Sequence, residues 1–386
     1  LYTQINSELD TLIGLFGAYV RATTPMLYKE YQSIMDLVAI GTVSDLMPMA
    51  DENRILVKAG LSVLENRPRD SMRPFLSLQN LLGKKISTTD IGWQISPLMN
   101  ASGRLGRPDA AINMLLSTDQ IQALDYAQEL NRMNKERQKL GEDAWSRLQS
   151  QARKSYEDLG TKLVLVHDTN IARGITGIIA TRLLKTFKCP SMVITATDDG
   201  RAIGSMRSSS GFNCHDFLSN YADLFDDFGG HAQAGGFSLD PDKVDALCSR
   251  ISDDVDYIDC PDTEPDEILE IDAALTKEDF NPNIIKVVER FEPYGEKSNP
   301  LLFMIDGARI ESIDVMHNSK DPGNAHLRLN LSYGQLQWPG VFWSAGQRIG
   351  KDFDEGEIVD VVFKIGRNYY RNQELIQLTI VDIRRH

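Results

Sequence analysis

The sequence predicts an α/β protein of several domains, with a helical first part, a mixed α/β middle and a strand-rich last part. The chain has 386 residues, more than one average hydrophobic core accommodates, so two or three units are expected. Strand and helix patterns alternate between residues 161 and 195, and beyond Pro300 the apolar residues recur with a period of two. With 42% hydrophobic and 25% charged residues, the composition is typical of a folded protein.

Composition and the first residues exclude several classes of protein. No apolar stretch approaches the ~20 residues that span a bilayer, and LYTQINSELD carries no export signal, so we expect a cytoplasmic protein with no membrane partner. The cysteines at 189, 214, 248 and 260 fit neither a disulfide framework nor a zinc cluster. Because residue 1 is leucine, we interpret the chain as a fragment or a processed product.

The net charge of −14 argues against a nucleic-acid partner only if the charge is evenly spread. Ten acidic residues and no lysine or arginine lie between Asp253 and Asp272, so the acidic excess elsewhere falls to four. Three arginine pairs are then candidates for facing phosphate, with solvated surface as the alternative. They are Arg201 with Arg207, Arg104 with Arg107, and Arg367 with Arg371.

The first half of the chain is predicted to contain a buried segment followed by a long helix. The apolar run Met35–Met49 ends in Gly, Ser, Asp and Pro, which predicts a buried segment leading into a loop at Asp45. From 117 to 159 apolar residues recur at helical spacing, with Leu124, Ala127, Leu130 and Met133 on one face. We expect a connecting helix there, with Gly141 as a candidate break.

The second half divides near residue 260. Thr161–Val166 and Ser191–Thr195 read as strands on either side of a helix over Gly174–Phe187, and the acidic segment Cys260–Pro265 reads as a linker. Beyond it, Leu327, Leu329 and Leu331 alternate with polar residues, as do Ile376, Leu378 and Ile380. With turns expected at Ser332–Gln335, Pro339–Gly340 and Gly366–Asn368, these strands predict a small barrel of the oligonucleotide-binding type.

The barrel is rich in aromatic residues that could stack on bases. They are Tyr333, Trp338, Phe342, Trp343, Tyr369 and Tyr370. Most aromatic residues of small barrels belong to the core, so we expect about two of the six to be exposed.

The segment FGGHAQAGGF, residues 228 to 237, is the most informative for chemistry. Paired glycines such as Gly229 and Gly230 let the backbone approach a ligand closely, and successive N–H groups can form an anion-binding nest. His231 could then donate to a phosphate oxygen. The alternative is a tight helix-packing turn with a satisfied histidine, and spacing alone leaves both open.

Two further segments carry groups suited to phosphate. GSMRSSS offers Ser205, Arg207 and Ser208, which provide hydroxyls and a guanidinium fork. NASGRLG, after Pro97, offers Asn100 and Arg104 with two glycines, a composition suited to a backbone loop near a polyanion; an ordinary turn is the alternative. Asp45 could emerge into a cleft as a metal ligand, although a lone aspartate is more often a cap or turn residue.

Seven segments occur in a specific order. They are DLVAIGTVSD, ENRILVKAGL, NASGRLGRPDAA, GITGIIATRLL, GSMRS, FGGHAQAGGF and FEPYGEKSNP. In this order, over roughly residues 35 to 303, the chain resembles RecJ-type members of the DHH phosphoesterase family, and its strand-rich tail is similar to the barrel that follows in that family.

The resemblance implies a fold and a site. It implies a DHH phosphoesterase remainder at 1–116, a connecting helix at 117–159, a DHH-associated nucleic-acid-binding domain at 160–258 and an oligonucleotide-binding barrel with its acidic linker at 259–386. Asp45 matches a late ligand of a site for two Mn²⁺ or Mg²⁺ ions, and Asn100 and Arg104 match a loop facing the cleft. The nucleic-acid and terminal-phosphate contacts match Ser205, Arg207, Gly229, Gly230 and His231.

The implied activity is metal-dependent 5′-to-3′ hydrolysis of single-stranded DNA, in repair and recombination. The implied partners are single-stranded DNA with a 5′ phosphate, and a single-strand-binding protein or a helicase. The sequence departs from the family pattern in two places. The early aspartate motifs and the DHH triplet are absent, so the metal site is incomplete and the chain alone is expected to be inactive. Ile171 and Ala172 replace the family's Trp-His. The alternatives are a non-catalytic module that binds single strands or a partner, and a phosphoesterase for short oligonucleotides.

Overall fold

The computed structural model describes residues 18–19, 22–24, 30–197, 199–209, 211–259, 268–316, 325–370 and 373–386. The chain divides into two compact units, residues 1–64 with 267–386 and residues 65–266. Several predictions lie outside the described residues. They concern most of the first 34 residues, the acidic segment from 260 to 267 with Cys260, Arg371, and the side chains of Tyr369 and Tyr370.

The apolar run of the first unit forms helix α1 (Met35–Ser44), and Asp45 is its C-cap residue. Helix α2 (Asp51–Asn66) crosses it at Gly60, where a Cβ would lie 2.2 Å from the carbonyl oxygen of Met35. The glycine of ENRILVKAGL is therefore required for the close approach of the two helices. Arg54 Nη1 in the same segment donates to the carbonyl oxygen of Pro293 at 2.8 Å, which ties α2 to FEPYGEKSNP.

The second unit begins with short helices. They are α3 (Met72–Leu78), a turn at Thr88–Asp90, a π-helical turn at Ile91–Ile95, α4 (Ser96–Arg104) and α5 (Asp109–Leu116). The expectation that Asn100–Gly106 forms a loop after a break at Pro97 is wrong, because Asn100 and Arg104 lie within α4. Pro97 sits where the π-helical turn Ile91–Ile95 passes directly into α4, and Gly106, at φ +71°, supplies the turn after the helix.

The predicted connecting helix is α6 (Gln120–Asp158), and it runs through Gly141 without the break that we considered. The side chain of Asp119 caps its start by accepting from the backbone N of Ile121 at 2.8 Å. Buried Ala127, Leu130 and Met133 precede Gly141, and buried Ala144, Leu148 and Ala152 follow it. Burial on both sides offsets the ~1 kcal/mol that glycine costs within a helix.

The middle of the chain folds as a mixed sheet between two layers of helices, as the alternating pattern predicts. Its elements are β1 (Val164–His167), α7 (Thr176–Phe187), β2 (Ser191–Ala196), β3 (Ala202–Arg207), α8 (Cys214–Ser219), β4 (Asp227–His231), β5 (Ala234–Leu239) and α9 (Val244–Asp253). The strand order is β1-β2-β3-β5-β4, with β1 and β2 parallel and the other pairs antiparallel. Helices α6 and α7 cover one face, and α8 and α9 cover the other.

The glycine-rich segment FGGHAQAGGF is a β-hairpin and not a loop. Strands β4 and β5 flank a turn at Ala232 and Gln233. Gly230 has φ +140°, and a Cβ there would lie 2.2 Å from the carbonyl oxygen of Ala234. A Cβ at Gly235 would lie 2.7 Å from Leu218 Cδ1 of α8, so the helix-packing alternative holds for this glycine. Gly229, by contrast, has nothing within 4 Å of its Cβ position.

The last part of the chain is a closed five-stranded barrel, which confirms the predicted type. After β6 (Ala273–Ala274) and α10 (Ile284–Arg290) come β7 (Phe303–Met316), β8 (His326–Tyr333), β9 (Leu336–Phe342), β10 (Ile358–Tyr370) and β11 (Gln373–Arg385). The order is β10-β11-β9-β8-β7, and pairing of β10 with β7 closes the barrel. Leu327, Leu329 and Leu331 are fully buried in its core.

Two of the predicted barrel turns are wrong. Pro339–Gly340 lies within β9 and Gly366–Asn368 lies within β10, whereas the turn between β8 and β9 is at Gly334 and Gln335 as expected. A Cβ at Gly340 would lie 2.9 Å from Ile380 Cδ1, so this glycine serves the close packing of β9 against its parallel neighbour β11.

The barrel aromatics divide between core and surface. Tyr333, Trp338 and Phe342 are buried, and Trp338 stacks on Phe280 at 4.0 Å between ring centroids. Trp343 is 56% exposed and meets the ring of His326 edge-on at 5.0 Å. Among the described residues, no helix is long and apolar enough to cross a membrane.

Candidate nucleic-acid interface

Strand register brings the predicted residues of two motifs onto one face of the sheet. Arg207 of β3 lies opposite Ala234 of β5, which lies opposite His231 of β4. Ser205, Gly236 and Gly229 form the next row. Directly paired residues share a face, and strands are ~4.8 Å apart, so His231 lies two strand spacings, about 10 Å, from Arg207. Gly230 belongs to the opposite face.

Helix α7 packs on this same face, beside β3. Thr176 Oγ1, in the first turn of α7, lies 2.9 Å from Ser205 Oγ. Gly177 follows, and a Cβ there would lie 2.7 Å from Arg207 Nη2. Glycine at this position therefore lets the guanidinium lie across the first turn of the helix, while exposed Gly229 and His231 leave the β4 end of the face open.

Arg104 joins this group from α4. Its Nη1 donates to the carbonyl oxygen of Gly174 at 3.0 Å, in the 3₁₀ turn that leads into α7. A Cβ at Gly174 would lie 1.8 Å from the carbonyl oxygen of Arg104, so the two backbones are in direct contact. Asn100 is exposed one helical turn before Arg104. The structure thus explains both glycines of GITGIIATRLL as close approaches to the two candidate arginines.

Arg104 and Arg207 are close enough for their positive charges to repel each other. Burial lowers the pKa of Arg207, and the positive charge of Arg104 lowers it further. Burial also lowers the pKa of Arg137 on α6, again with a contribution from Arg104. Within the described ranges, Arg104 and Arg207 donate only to backbone carbonyl oxygens and pair with no carboxylate. Such a group of cations is suited to bind an anion.

Two other arginines from the predicted pairs, Arg107 and Arg367, have carboxylate partners. Arg107 is bound to Glu136 Oε2 at 2.9 Å, and Arg367 is bound to Glu289 Oε1 at 2.6 Å and to Glu374. Hydrogen bonds from Arg367 to Glu289 and Glu374 raise the pKa of this arginine. These two arginines are therefore already neutralised by protein carboxylates.

Two cavities meet at Arg104. One, of about 390 Å³, lies between Arg104, Arg207 and α7. The other, of about 830 Å³, lies at the carboxyl ends of the parallel strands β1 and β2, where Asn170, Arg173 and Thr197 line it. Crevices at the carboxyl ends of parallel strands are common ligand sites in α/β sheets. Ile171 and Ala172, which stand where the resemblance leads one to expect Trp-His, line this second cavity.

A metal centre is not assembled by the part of the chain that the structure describes. No group of three or more His, Cys, Asp or Glu side chains comes together there as a metal site. Asp45 is exposed at the end of α1, in the other compact unit. One carboxylate does not hold a divalent ion by itself, so the described residues do not fit a complete two-metal site.

Sequence reasoning missed Gly174, Thr176 and Gly177 as parts of this interface, and it missed the cationic side chains Arg182 and Lys185 further along α7. The glycine spacing of GITGIIA was a usable signal, because two glycines three residues apart at the start of a helix indicate close backbone packing on one side.

An α/β domain with a group of arginines on one face, followed by a barrel of the oligonucleotide-binding type, is typical of nucleic-acid-binding proteins. The family models agree: residues 160–256 match the DHHA1 domain, and residues 271–382 match the RecJ OB domain. The RecJ single-stranded-DNA-specific exonuclease of Bacillus subtilis is 28% identical over 371 residues, which are 95% of this chain and 46% of that protein. The protein of the same name from Escherichia coli is 28% identical over 361 residues, 91% of this chain and 61% of that protein.

Solved structures point the same way. RecJ from Thermus thermophilus in complex with Mn²⁺ matches with a TM-score of 0.72 at 25% identity, over 92% of this chain and 50% of that one. A manganese-bound exonuclease RecJ matches with a TM-score of 0.51 at 29% identity, over 61% of this chain and 58% of that one. The chain is thus a distant homologue of the RecJ single-stranded-DNA-specific exonucleases, and it spans about half the length of the curated relatives that it matches.

Proposed function

We propose that this chain is the part of a RecJ-type exonuclease that binds single-stranded DNA by its 5′-phosphorylated end. The observation that carries the proposal is that Ser205, Arg207 and His231 share one face of the sheet, with Arg104 beside it and, among the described residues, no carboxylate paired to either arginine. A terminal phosphate carries more negative charge than an internal one, and a guanidinium fork binds its oxygens bidentately.

The reaction proposed for the whole protein is 5′-to-3′ hydrolysis of single-stranded DNA, dependent on Mn²⁺ or Mg²⁺, in repair and recombination. In this proposal Asp45 supplies one ligand of a metal site whose other ligands lie outside the described residues, and the chain alone is inactive. The domain limits at 116, 159 and 258, the cytoplasmic location, and a single-strand-binding protein or helicase as partner belong to the same proposal.

Binding to 5′-phosphorylated and 5′-hydroxyl oligothymidylates tests the terminal-phosphate site. The chain is expected to prefer the phosphorylated strand about tenfold, and Arg207→Gln and Ser205→Ala are expected to remove most of this preference. Lys154→Gln, which changes an exposed lysine of α6 outside both cavities, is the matched control. An equal affinity of the unaltered chain for the two strands would refute the terminal-phosphate site.

Degradation of single strands with manganese tests the enzymatic part. The samples are this chain, a form extended to the length of its relatives, and the extended form with Asp45→Asn. Activity only in the unaltered extended form supports Asp45 as a ligand. Activity of the short chain, or of the Asp45→Asn variant, would contradict the assignment.

A second candidate function is a non-catalytic module that binds single strands. Arg104 and Arg207 of the α/β domain and exposed Trp343 of the barrel favour it, because all three suit binding and need no metal ion. It makes the same binding predictions, and it differs in predicting that the extended form is inactive as well.

A further inference from the structure

The cavity that holds Arg104 and Arg207 does not end at the first turn of α7. Its lining continues from Gly177 to Thr181, Arg182 and Lys185 along the helix. Gly177, Thr181 and Lys185 are spaced four residues apart, so they lie on one face of α7. At ~1.5 Å rise per residue, Lys185 lies ~12 Å from Gly177 along the helix axis. That length exceeds the separation of neighbouring phosphates in a single strand.

Arg182 is held in place by two contacts within the same compact unit. Its guanidinium carbon lies 4.3 Å from the centre of the Trp145 ring on α6, and its Nη1 lies 3.1 Å from Glu142 Oε1. The side chain is still 38% exposed, and one carboxylate oxygen engages only part of a five-donor fork. Contact with the Trp145 ring restricts the movement of the guanidinium, which reduces the entropy lost when an anion binds to its remaining donors.

Lys185 adds a second cation one turn further along the helix. Its side chain is exposed, and it makes no hydrogen bond or ion pair with any described residue. Of the seven residues that line the cavity, four are arginine or lysine and none is acidic. Glu142 offsets part of the Arg182 charge, but the charge of Lys185 has no described partner, so positive charge extends beyond the terminal-phosphate site towards the C-terminal end of α7.

We propose that Arg182 and Lys185 form a second phosphate subsite, which binds a backbone phosphate of a nucleotide that follows the 5′ end. The inference rests on the proposed function, because it takes Arg104 and Arg207 as the site of the terminal phosphate. It gives the bound strand a direction, from the first turn of α7 towards Lys185. The subsite contacts the phosphate and not the bases, so it contributes affinity without sequence preference.

Binding of thymidine 5′-phosphate and of 5′-phosphorylated di- and trinucleotides to the whole chain tests the subsite. The unaltered chain is expected to gain about tenfold in affinity from the mononucleotide to the trinucleotide, because a second charge-assisted contact forms. Arg182→Gln combined with Lys185→Gln is expected to lose this gain, to keep the mononucleotide affinity, and to lower the salt slope for trinucleotide binding by ~0.7. Lys154→Gln should change none of these values.

Lys185→Gln alone is not expected to disturb folding, because the Lys185 side chain has no described partner. This single variant is expected to weaken trinucleotide binding about threefold. A length-dependent gain that survives in the double variant overturns the subsite. An equal loss for mononucleotide and trinucleotide also overturns it, because the change would then act on the terminal phosphate. Failure of Arg207→Gln to reduce the 5′-phosphate preference is a separate result, which refutes the proposed function instead.

Discussion

The candidate arginines beside the α/β sheet differ from three arginines of the barrel in the groups that they contact. In the barrel, Arg348 pairs with Asp352 and Asp382, Arg367 with Glu289 and Glu374, and Arg384 with Asp360. Arg104 of α4 and Arg207 of the α/β domain, by contrast, donate only to carbonyl oxygens among the described residues. Burial lowers the pKa of Arg207, whereas hydrogen bonds to carboxylates raise the pKa of Arg367.

The difference shows why net charge is a poor guide to a nucleic-acid interface. A buried arginine without a carboxylate costs free energy in the absence of a ligand, and an anionic ligand recovers that cost. An arginine that two carboxylates already engage, such as Arg348 or Arg367, gains little from a phosphate. The acidic total of −14 therefore coexists with a local group of cations that is suited to a polyanion. Four predictions, in order of decreasing effect, test this contrast.

The largest effect on stability is expected from substitution of the glycines that contact Arg104 and Arg207. Gly174→Ala places a Cβ 1.8 Å from the carbonyl oxygen of Arg104, and backbone cannot give way, so the α/β unit should lose about 3 kcal/mol of unfolding free energy. Gly177→Ala meets only the end of the Arg207 side chain, so it should reduce phosphate binding with little change in stability. Urea unfolding and oligonucleotide binding measure the two. Equal stabilities of the two variants would contradict the close contact at Gly174.

The second prediction compares one substitution at two sites. Arg207→Gln should weaken binding of 5′-phosphorylated single strands about tenfold or more, because a charge-assisted contact is lost. Arg367→Gln should change that affinity less than about twofold and lower barrel stability by about 1 kcal/mol, because it removes two ion pairs. Fluorescence titration and denaturant unfolding measure them. An equal loss of DNA affinity in Arg367→Gln and Arg207→Gln would contradict the proposed difference between paired and unpaired arginines.

The third prediction concerns pH and belongs to the barrel alone. Burial acts to raise the pKa of Asp360, but hydrogen bonds with His386 and Arg384 outweigh it and hold the pKa below its ordinary value. A lowered folded-state pKa contributes stability above the unfolded value of ~3.9, and this stability is lost as the pH falls through the folded-state pKa.

Asp360→Asn should therefore destabilise the barrel by about 1 to 2 kcal/mol near neutral pH and flatten its acid sensitivity below about pH 4. Hydrogen exchange in β7, β10 and β11 reports the barrel separately from the α/β domain. Exposed Asp314→Asn, on β7, is the control and should change neither value. An unchanged acid sensitivity in Asp360→Asn would remove Asp360 as its source.

The smallest effect is expected at the exposed ring of the barrel. Trp343 is 56% exposed beside His326, and stacking on an unpaired base contributes about 1 kcal/mol or somewhat more. Trp343→Ala should weaken single-strand binding about fivefold, equally with and without a 5′ phosphate. Ile358→Ala, which truncates another half-exposed barrel residue, is the matched control. A loss that depends on the 5′ phosphate would place Trp343 in the terminal site instead.

Periodic patterns predicted the elements well, and glycine-containing segments were harder to interpret. The leucines of β8 and the apolar face of α6 gave unambiguous periods, because each period matches one buried face. Gly141, Gly340 and Gly366 suggested breaks or turns, yet all three lie inside regular elements. Glycine permits both a turn and a close approach, and only the neighbouring element decides which one occurs.

The candidate site shows the same limit. Ser205, Arg207, Gly229 and His231 share a face because of strand register, which the sequence of one strand does not contain. Arg104 reaches them from a helix about 100 positions away in the chain, through contact with Gly174. The order of motifs predicted which residues contact the strand, and the register of the sheet explains how four of them come to share a face. Asp45 remains a predicted ligand.

Helix α6 completes a hydrophobic core of the α/β domain, although it lies outside the residues that match the DHHA1 domain. The DHHA1 match begins at residue 160, after α6 ends. Yet Ala144, Leu148 and Ala152 of α6 belong to the same hydrophobic core as Val164 of β1 and Ile179 of α7. A segment cut at residue 160 would expose that core to water and invite aggregation. The segment that matches the DHHA1 domain is therefore shorter than the segment that completes its hydrophobic core.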